Sequence, residues 1–192
     1  AALGPLCVAG RHQRANGALA AAAAEVAGCD RAAIAAGLAA FRGLPHRLES
    51  LGRQGDRHVV DDSKATTPDS TIAAIEAIDH RAWWMIGGAD KGSDFELLLE
   101  RLADSAAGAA FYGATGPRLF QLAKACWPQL NCTLRETLDE ALGWCWSSSA
   151  ADDWIVLSPA CASLDQFRDY AHRGEVFRQW CARLAGAERA RH

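Results

Sequence analysis

His58-Val59-Val60-Asp61-Asp62-Ser63-Lys64-Ala65-Thr66-Thr67-Pro68 is the stretch that decides the fold. A short apolar run stops at a polar loop, and the loop stops where Ser70, Ile72, Ala73, Ile75 and Ile78 take up helical spacing. The pattern predicts a strand, a loop and a helix start, with Pro68 suited to the first helical turn. In that geometry the loop's backbone amides are expected to point outward at an anion, with Lys64 adding a positive charge beside them. A capped βα connection, in which Asp62, Ser63 and Thr66 only satisfy orphan amides, fits the same residues. Catalysis therefore needs support from other segments.

Downstream, the same unit repeats. A helix over about 69 to 78 leads to the strand Ala82-Trp83-Trp84-Met85-Ile86, the loop 87 to 94 and a helix over about 95 to 105. Strand Ala109-Ala110-Phe111-Tyr112 and a helix over 118 to 126 follow, then Leu130-Asn131-Cys132 with a helix over about 135 to 147. The last strand is Trp154-Ile155-Val156-Leu157. Continuously apolar strands alternating with helices predict an α/β fold: a Rossmann-like, mostly parallel sheet with helices on both faces. Functional loops in such sheets gather beyond the carboxyl ends of the strands. The polar or glycine-rich loops 61 to 68, 87 to 94 and 158 to 165 all leave such ends, which predicts one site holding a carboxylate or phosphate.

Upstream the texture changes. Residues 12 to 27 read as an alanine-rich helix ended by Gly28, and residues 30 to 40 as a second helix capped by Asp30. Gly43-Leu44-Pro45-His46-Arg47 then breaks the helical pattern. Leu48 to Leu51 and Arg57 to Val60 read as a strand pair around a glycine-containing loop. The expected division is residues 1 to 45 as the tail of a preceding domain and 46 to 192 as a full one, in a chain that looks cut from a longer protein.

The formal net charge of -3 argues against a nucleic-acid footprint or a basic membrane-binding face, so any anion site is local. No segment is long and apolar enough to span a membrane, and Glu25 closes the alanine tract, which helical periodicity explains better than a signal sequence does. Seven cysteines form no Cys-x-x-Cys pair, which predicts buried, reduced thiols in a cytoplasmic protein. Cys161, in a small-residue loop after a strand, is better explained as a packed thiol than as a nucleophile, because no histidine stands at a telling spacing.

Four segments carry a family resemblance: Gly43 to Arg47, Asp62 to Thr66, Gly87-Gly88-Ala89-Asp90-Lys91-Gly92, and Leu157-Ser158-Pro159-Ala160-Cys161-Ala162-Ser163-Leu164-Asp165-Gln166-Phe167. In order and spacing they resemble the Mur ligases, and among them the members that add D-glutamate. The resemblance implies an ATP-dependent ligase of peptidoglycan-precursor synthesis, joining D-glutamate to UDP-N-acetylmuramoyl-L-alanine through an acyl phosphate, as a cytoplasmic monomer. It makes residues 1 to 45 the end of a central ATPase domain and 46 to 192 the glutamate-binding third domain. No Gly-x-x-x-x-Gly-Lys-Ser/Thr loop occurs in the chain, and the family's magnesium ligands belong with that loop, so the chain is expected to be inactive alone and to hold no metal.

By the same resemblance Asn16, Arg47 and Asp62 match ATP contacts, Arg47 near the phosphates and Asp62 near the ribose. Lys64, Thr66, Lys91, Ser163 and Leu164 match the D-glutamate pocket, and Tyr170 stands where a relative has phenylalanine against the substrate. Lys64 and Arg47 are the residues expected to serve the chemistry itself. His12-Gln13 departs from the family's His-Asn pair, and Ala89-Asp90 from some members' run before the lysine. Two other readings fit the residues: an independent flavodoxin-like nucleotide-binding or phosphate-binding module, and a folylpolyglutamate synthetase-like ligase domain.

Overall fold

The computed structural model describes residues 11–90 and 92–190, with side chains from residue 13 onward. Residues 1–10, Lys91 and residues 191–192 lie outside the described residues.

Helices α1 (Arg11–Val26) and α2 (Arg31–Ala40) form a hairpin ahead of the sheet. Gly28, at φ 88, turns the chain so that its own amide and that of Cys29 reach back to the Glu25 and Ala24 carbonyls. Asp30 then caps α2 by accepting from the Ala33 amide at 2.8 Å. Built mostly of alanine, the pair has little to bury: no residue of α2 is buried, and Leu19 and Val26 stand in solvent.

The sheet comprises β1 (Glu49–Gln54), β2 (Arg57–Asp61), β3 (Ala82–Gly87), β4 (Gly108–Tyr112), β5 (Cys132–Leu134) and β6 (Trp154–Ala160). Their order is β1-β2-β6-β3-β4-β5, with β1 antiparallel to β2 and every other pair parallel. Alternate residues of each strand face opposite layers. Val60, Trp84, Ile86 and Val156 pack under α3 (Pro68–Ala77), α4 (Glu96–Ser105) and α5 (Gly116–Cys126). Val59, Met85, Ile155 and Leu157 pack under α6 (Leu138–Ser148) and α7 (Tyr170–Arg189). This is the Rossmann-like arrangement that the apolar runs predict.

The chain leaves a gap between β2 and β3, and β6 fills it from the far end of the sequence. That switch makes Asp61, Gly87 and Ala160 the ends of three adjacent parallel strands. The loops 61 to 68, 87 to 94 and 158 to 165 therefore start side by side, as expected.

Several boundaries move, each for a local reason. The fifth strand lies at 132–134, not 130–132, because Leu130 is drawn into the core and Asn131 closes the edge, accepting from Ala109 and donating to Ala107. Helix α6 begins three residues late because Thr137 caps it, accepting from the Glu140 amide. The helix α7 had no counterpart in the expected elements. Its stripe of Arg173, Phe177, Cys181 and Ala185, at every fourth residue, is its buried face.

Candidate functional site

The loop after β2 is tied down at nearly every residue. Asp62 continues the sheet by donating its amide to Leu157 at 2.8 Å, and its carboxylate accepts from the Ser158 hydroxyl at 2.7 Å and the Leu48 amide at 3.0 Å. Burial is the largest influence on Asp62 and lifts its pKa to about 6, against the pull of those two donors. The Ser63, Lys64 and Ala65 amides donate to the Asp61 carboxylate, the His46 carbonyl and the Asp62 carbonyl. The amides of residues 62 to 65 are thus spent inside the fold, because a buried loop must satisfy its own donors first. What these four residues leave for a ligand is side chains.

Those side chains meet across a cavity of about 350 Å³ lined by Gln13, Asn16, Leu44, Arg47, Leu48, Asp62, Lys64, Ala65, Ser70 and Ala73. The cavity brings together Asn16, Arg47 and Asp62, all three expected on the nucleotide side, with Lys64. Arg47 is placed by its neighbour: His46 holds a left-handed backbone at φ 61, its amide donates to Glu49 at 3.0 Å and its ring bonds Asp61 at 2.8 Å. A strained non-glycine residue of this kind persists only where its surroundings over-determine it. Gly174 of α7 closes over the same pair, and a Cβ there would overlap His46 Nδ1.

His46, Glu49 and Asp61 present one ligand atom each within 4.8 Å of one another. Arg178 lies on this group, 3.0 Å from Glu49 and 3.9 Å from Asp61, so the carboxylates already have a counter-ion.

Thr66, Ser163, Leu164 and Tyr170 are not among the lining of that cavity, but their loops are bound to it. Lys64 Nζ stands 4.9 Å above the Tyr170 ring, and the Ser63 hydroxyl donates to the Tyr170 carbonyl at 2.7 Å. Arg173, wholly buried, donates to Ser63 Oγ at 2.9 Å, the Ser63 carbonyl at 2.7 Å and the Cys161 carbonyl at 3.1 Å. One guanidinium fork therefore holds the loop of Lys64 and Thr66 to the loop of Ser163 and Leu164. Ser163 is buried, whereas Leu164 is 69% exposed.

The third loop joins through backbone. The Ala89 amide donates to Ala162 at 2.8 Å and the Ala162 amide returns to Ala89 at 3.1 Å. Gly87 and Gly88, at φ 151 and 133, make this possible, since a Cβ would strike the Tyr112 carbonyl at one and the Ala162 carbonyl at the other. These glycines admit neighbouring backbone. Lys91 follows directly, outside the described residues.

Cys161 is a packed thiol, with burial pushing its pKa up to about 11 against the pull of Thr115 and Arg173. The expectation of buried cysteines holds for Cys145, Cys161 and Cys181 but not for Cys29 and Cys126, which sit exposed at or beyond helix ends where little packs on them. Arg173 went unrecognised in the sequence because charged residues on a helix read as solvated. Its place in the every-fourth-residue stripe was the signal that it points inward.

Residues 46–161, more than half of the chain, match the profile of the Mur ligase glutamate ligase domain. The chain belongs to the Mur ligase family. It is 39% identical over 176 residues to the UDP-N-acetylmuramoylalanine–D-glutamate ligase of Solibacter usitatus, covering 92% of this chain and 39% of that protein. To the enzyme of the same name from Chromohalobacter salexigens it is 39% identical over 184 residues, covering 94% of this chain and 40% of that one. The chain thus spans about two fifths of the length of the curated relatives it matches.

Among solved structures, the UDP-N-acetylmuramate-alanine ligase of Thermotoga maritima superposes with a TM-score of 0.68 at 19% identity, covering 91% of this chain and 39% of that one. The Mycobacterium tuberculosis folylpolyglutamate synthase complexed with ADP and AMPPCP superposes with a TM-score of 0.68 at 20% identity, covering 91% and 41%. These likenesses establish the Mur ligase fold. Sequence identity, not fold, separates the branches.

Proposed function

We propose that this chain is the amino-acid-delivering part of an ATP-dependent ligase that joins D-glutamate to UDP-N-acetylmuramoyl-L-alanine in peptidoglycan-precursor synthesis. The observation that carries the reading is the fastening of three loops at adjacent strand ends, by Arg173 and by the Ala89–Ala162 bridge. It gathers the Lys64–Thr66, Gly87–Asp90 and Ser163–Leu164 segments at one end of the sheet. Sequence identity of 39% to D-glutamate ligases outweighs the 20% identity to a folylpolyglutamate synthase.

In this reading residues 1–45 end the central ATPase domain and 46–192 form the glutamate domain. Asn16, Arg47 and Asp62 serve ATP on the cavity side. Thr66, Lys91, Ser163, Leu164 and Tyr170 hold the amino acid, their lysine and hydroxyls meeting its two carboxylates. The glutamate amine attacks the carbonyl carbon of the acyl phosphate, the tetrahedral intermediate collapses, and the phosphate leaves with the bonding pair as the amide forms. Arg47, with its planar fork, suits the phosphate whose charge shifts during transfer, and Lys64 supports the same charge. Holding the amine near attack distance supplies roughly 7–11 kcal/mol of barrier reduction.

ATP and Mg2+ serve the complete enzyme, and the magnesium ligands and phosphate-binding loop belong to the part of the family that this chain does not span. Because His46 to Leu48 are bonded to the glutamate domain, a hinge between the two domains falls just upstream, at 41 to 45, where Gly43 takes φ 98.

Steady-state kinetics of the full-length protein test the assignment. Lys91→Ala should raise the KM for D-glutamate and lower kcat together, and Arg47→Ala should act mainly through ATP. A Lys91→Ala enzyme with wild-type constants would remove Lys91 from the pocket.

A further inference from the structure

Arg173 carries more than a structural tie. It is fully buried, yet none of the ion pairs among the described residues includes it. Its hydrogen bonds go to neutral oxygens, the hydroxyl and carbonyl of Ser63 and the carbonyl of Cys161, and it bears on the Tyr112 hydroxyl as well. A guanidinium has five N–H donors in a fixed fork, so these bonds leave part of its capacity unspent.

The acids around the junction are engaged with other donors. Asp165 accepts from the Ala114 amide at 3.0 Å, and Asp90 from Arg118 at 2.6 Å and from the Ser93 amide at 2.9 Å. Asp61 is held by His46 at 2.8 Å and by the Ser63 amide at 2.9 Å. Asp62 is held by Ser158 and the Leu48 amide. At the same junction the buried Tyr112 hydroxyl has Arg173 beside it, which opposes the rise of its pKa by burial. A desolvated charge without a counter-ion is costly, and folds rarely keep one. Here it lies directly beneath the two loops that the glutamate reading assigns to an acidic substrate.

We infer that Arg173 is the specificity-determining charge of the amino-acid pocket: a positioning residue that fixes both loops and whose unpaired positive charge selects a carboxylate side chain over its neutral amide. The inference rests on the glutamate reading above. It separates two effects of one residue, since the fork fixes geometry and the charge sets selectivity. Through an effective dielectric near 20, one unit charge in the neighbourhood of an anion changes its affinity by on the order of tenfold or more.

The test is kcat/KM for D-glutamate and for D-glutamine in the full-length protein, for wild type, Arg173→Met and Arg173→Lys, with circular dichroism to verify folding. Wild type should prefer glutamate. Arg173→Met should lose about tenfold of that preference through a raised glutamate KM, while Arg173→Lys keeps the preference and loses kcat, because an ammonium cannot hold three oxygens in the fork's geometry. Equal losses for both substrates in Arg173→Met would show a purely structural role and overturn the inference. So would loss of the preference in Arg173→Lys, which keeps the charge and still decides the matter if Arg173→Met fails to fold. A wild-type protein that adds no D-glutamate would overturn the glutamate reading itself.

Discussion

Gly174→Ala is the substitution whose cost can be worked most fully from the structure. Gly174 lies early in α7, against the buried pair formed by His46 and Asp61 at 2.8 Å. A Cβ there would overlap His46 Nδ1 and come within 2.6 Å of Asp61 Oδ2. Helix propensity alone would favour alanine by about 1 kcal/mol. Against that stand overpacking, about 1–3 kcal/mol, and a weakened hydrogen bond to a charged group, about 1.5–3 kcal/mol. The net is a destabilisation of about 2–5 kcal/mol, or roughly 10 °C in Tm for a domain of this size. Thermal unfolding of the 192-residue chain by circular dichroism reads it directly. Gly143→Ala is the control, because nothing lies within 4 Å of a Cβ there and α6 should gain up to about 1 kcal/mol. A Gly174→Ala protein as stable as wild type, or more stable, would refute the claim that α7 locks the His46–Asp61 pair.

Asp62 should make stability pH-dependent with a definite sign. Its pKa is raised from 3.8 unfolded to about 6 folded, so the folded state keeps a proton that the unfolded chain releases, and that contribution is lost as pH rises through about 6. Urea denaturation from pH 4 to 7 should show wild type falling relative to Asp62→Asn up to about pH 6 and running parallel above it; parallel curves throughout would mean that burial does not perturb this carboxyl. Iodoacetamide at pH 7.5 should modify exposed Cys29 and Cys126 while Cys161 and Cys145, pushed up by burial, stay unmodified; labelling of Cys161 in the folded protein would contradict its packed environment.

The strands were legible because buried parallel strands are apolar along their whole length, as in Ala82 to Ile86 and Trp154 to Leu157. The convergence of the three loops was legible for the same reason: each follows such a run. Which strands are neighbours was not, since the insertion of β6 between β2 and β3 is set by packing across the sheet. The roles of Gly87 and Gly88 were not legible, because a glycine that admits backbone and one that admits a ligand look alike in one dimension. Helix α7 was hidden by its charges: Arg173, Glu175, Arg178 and Arg183 read as a solvated surface, yet Arg173 turns inward to spend its fork on Ser63 and Cys161. His46 and Arg47 stood out by motif, but nothing in the sequence shows that a left-handed His46 aims Arg47 at the cavity.

The most direct test of the central claim is amide-bond formation by the full-length protein supplied with ATP, Mg2+ and UDP-N-acetylmuramoyl-L-alanine, with labelled D-glutamate, L-glutamate or a folate acceptor offered in parallel. Incorporation of D-glutamate into the UDP-sugar with one phosphate released per amide, and none by the 192-residue chain alone, is the predicted result. Glutamate transfer to the folate acceptor, or ligation by the isolated chain, would contradict it.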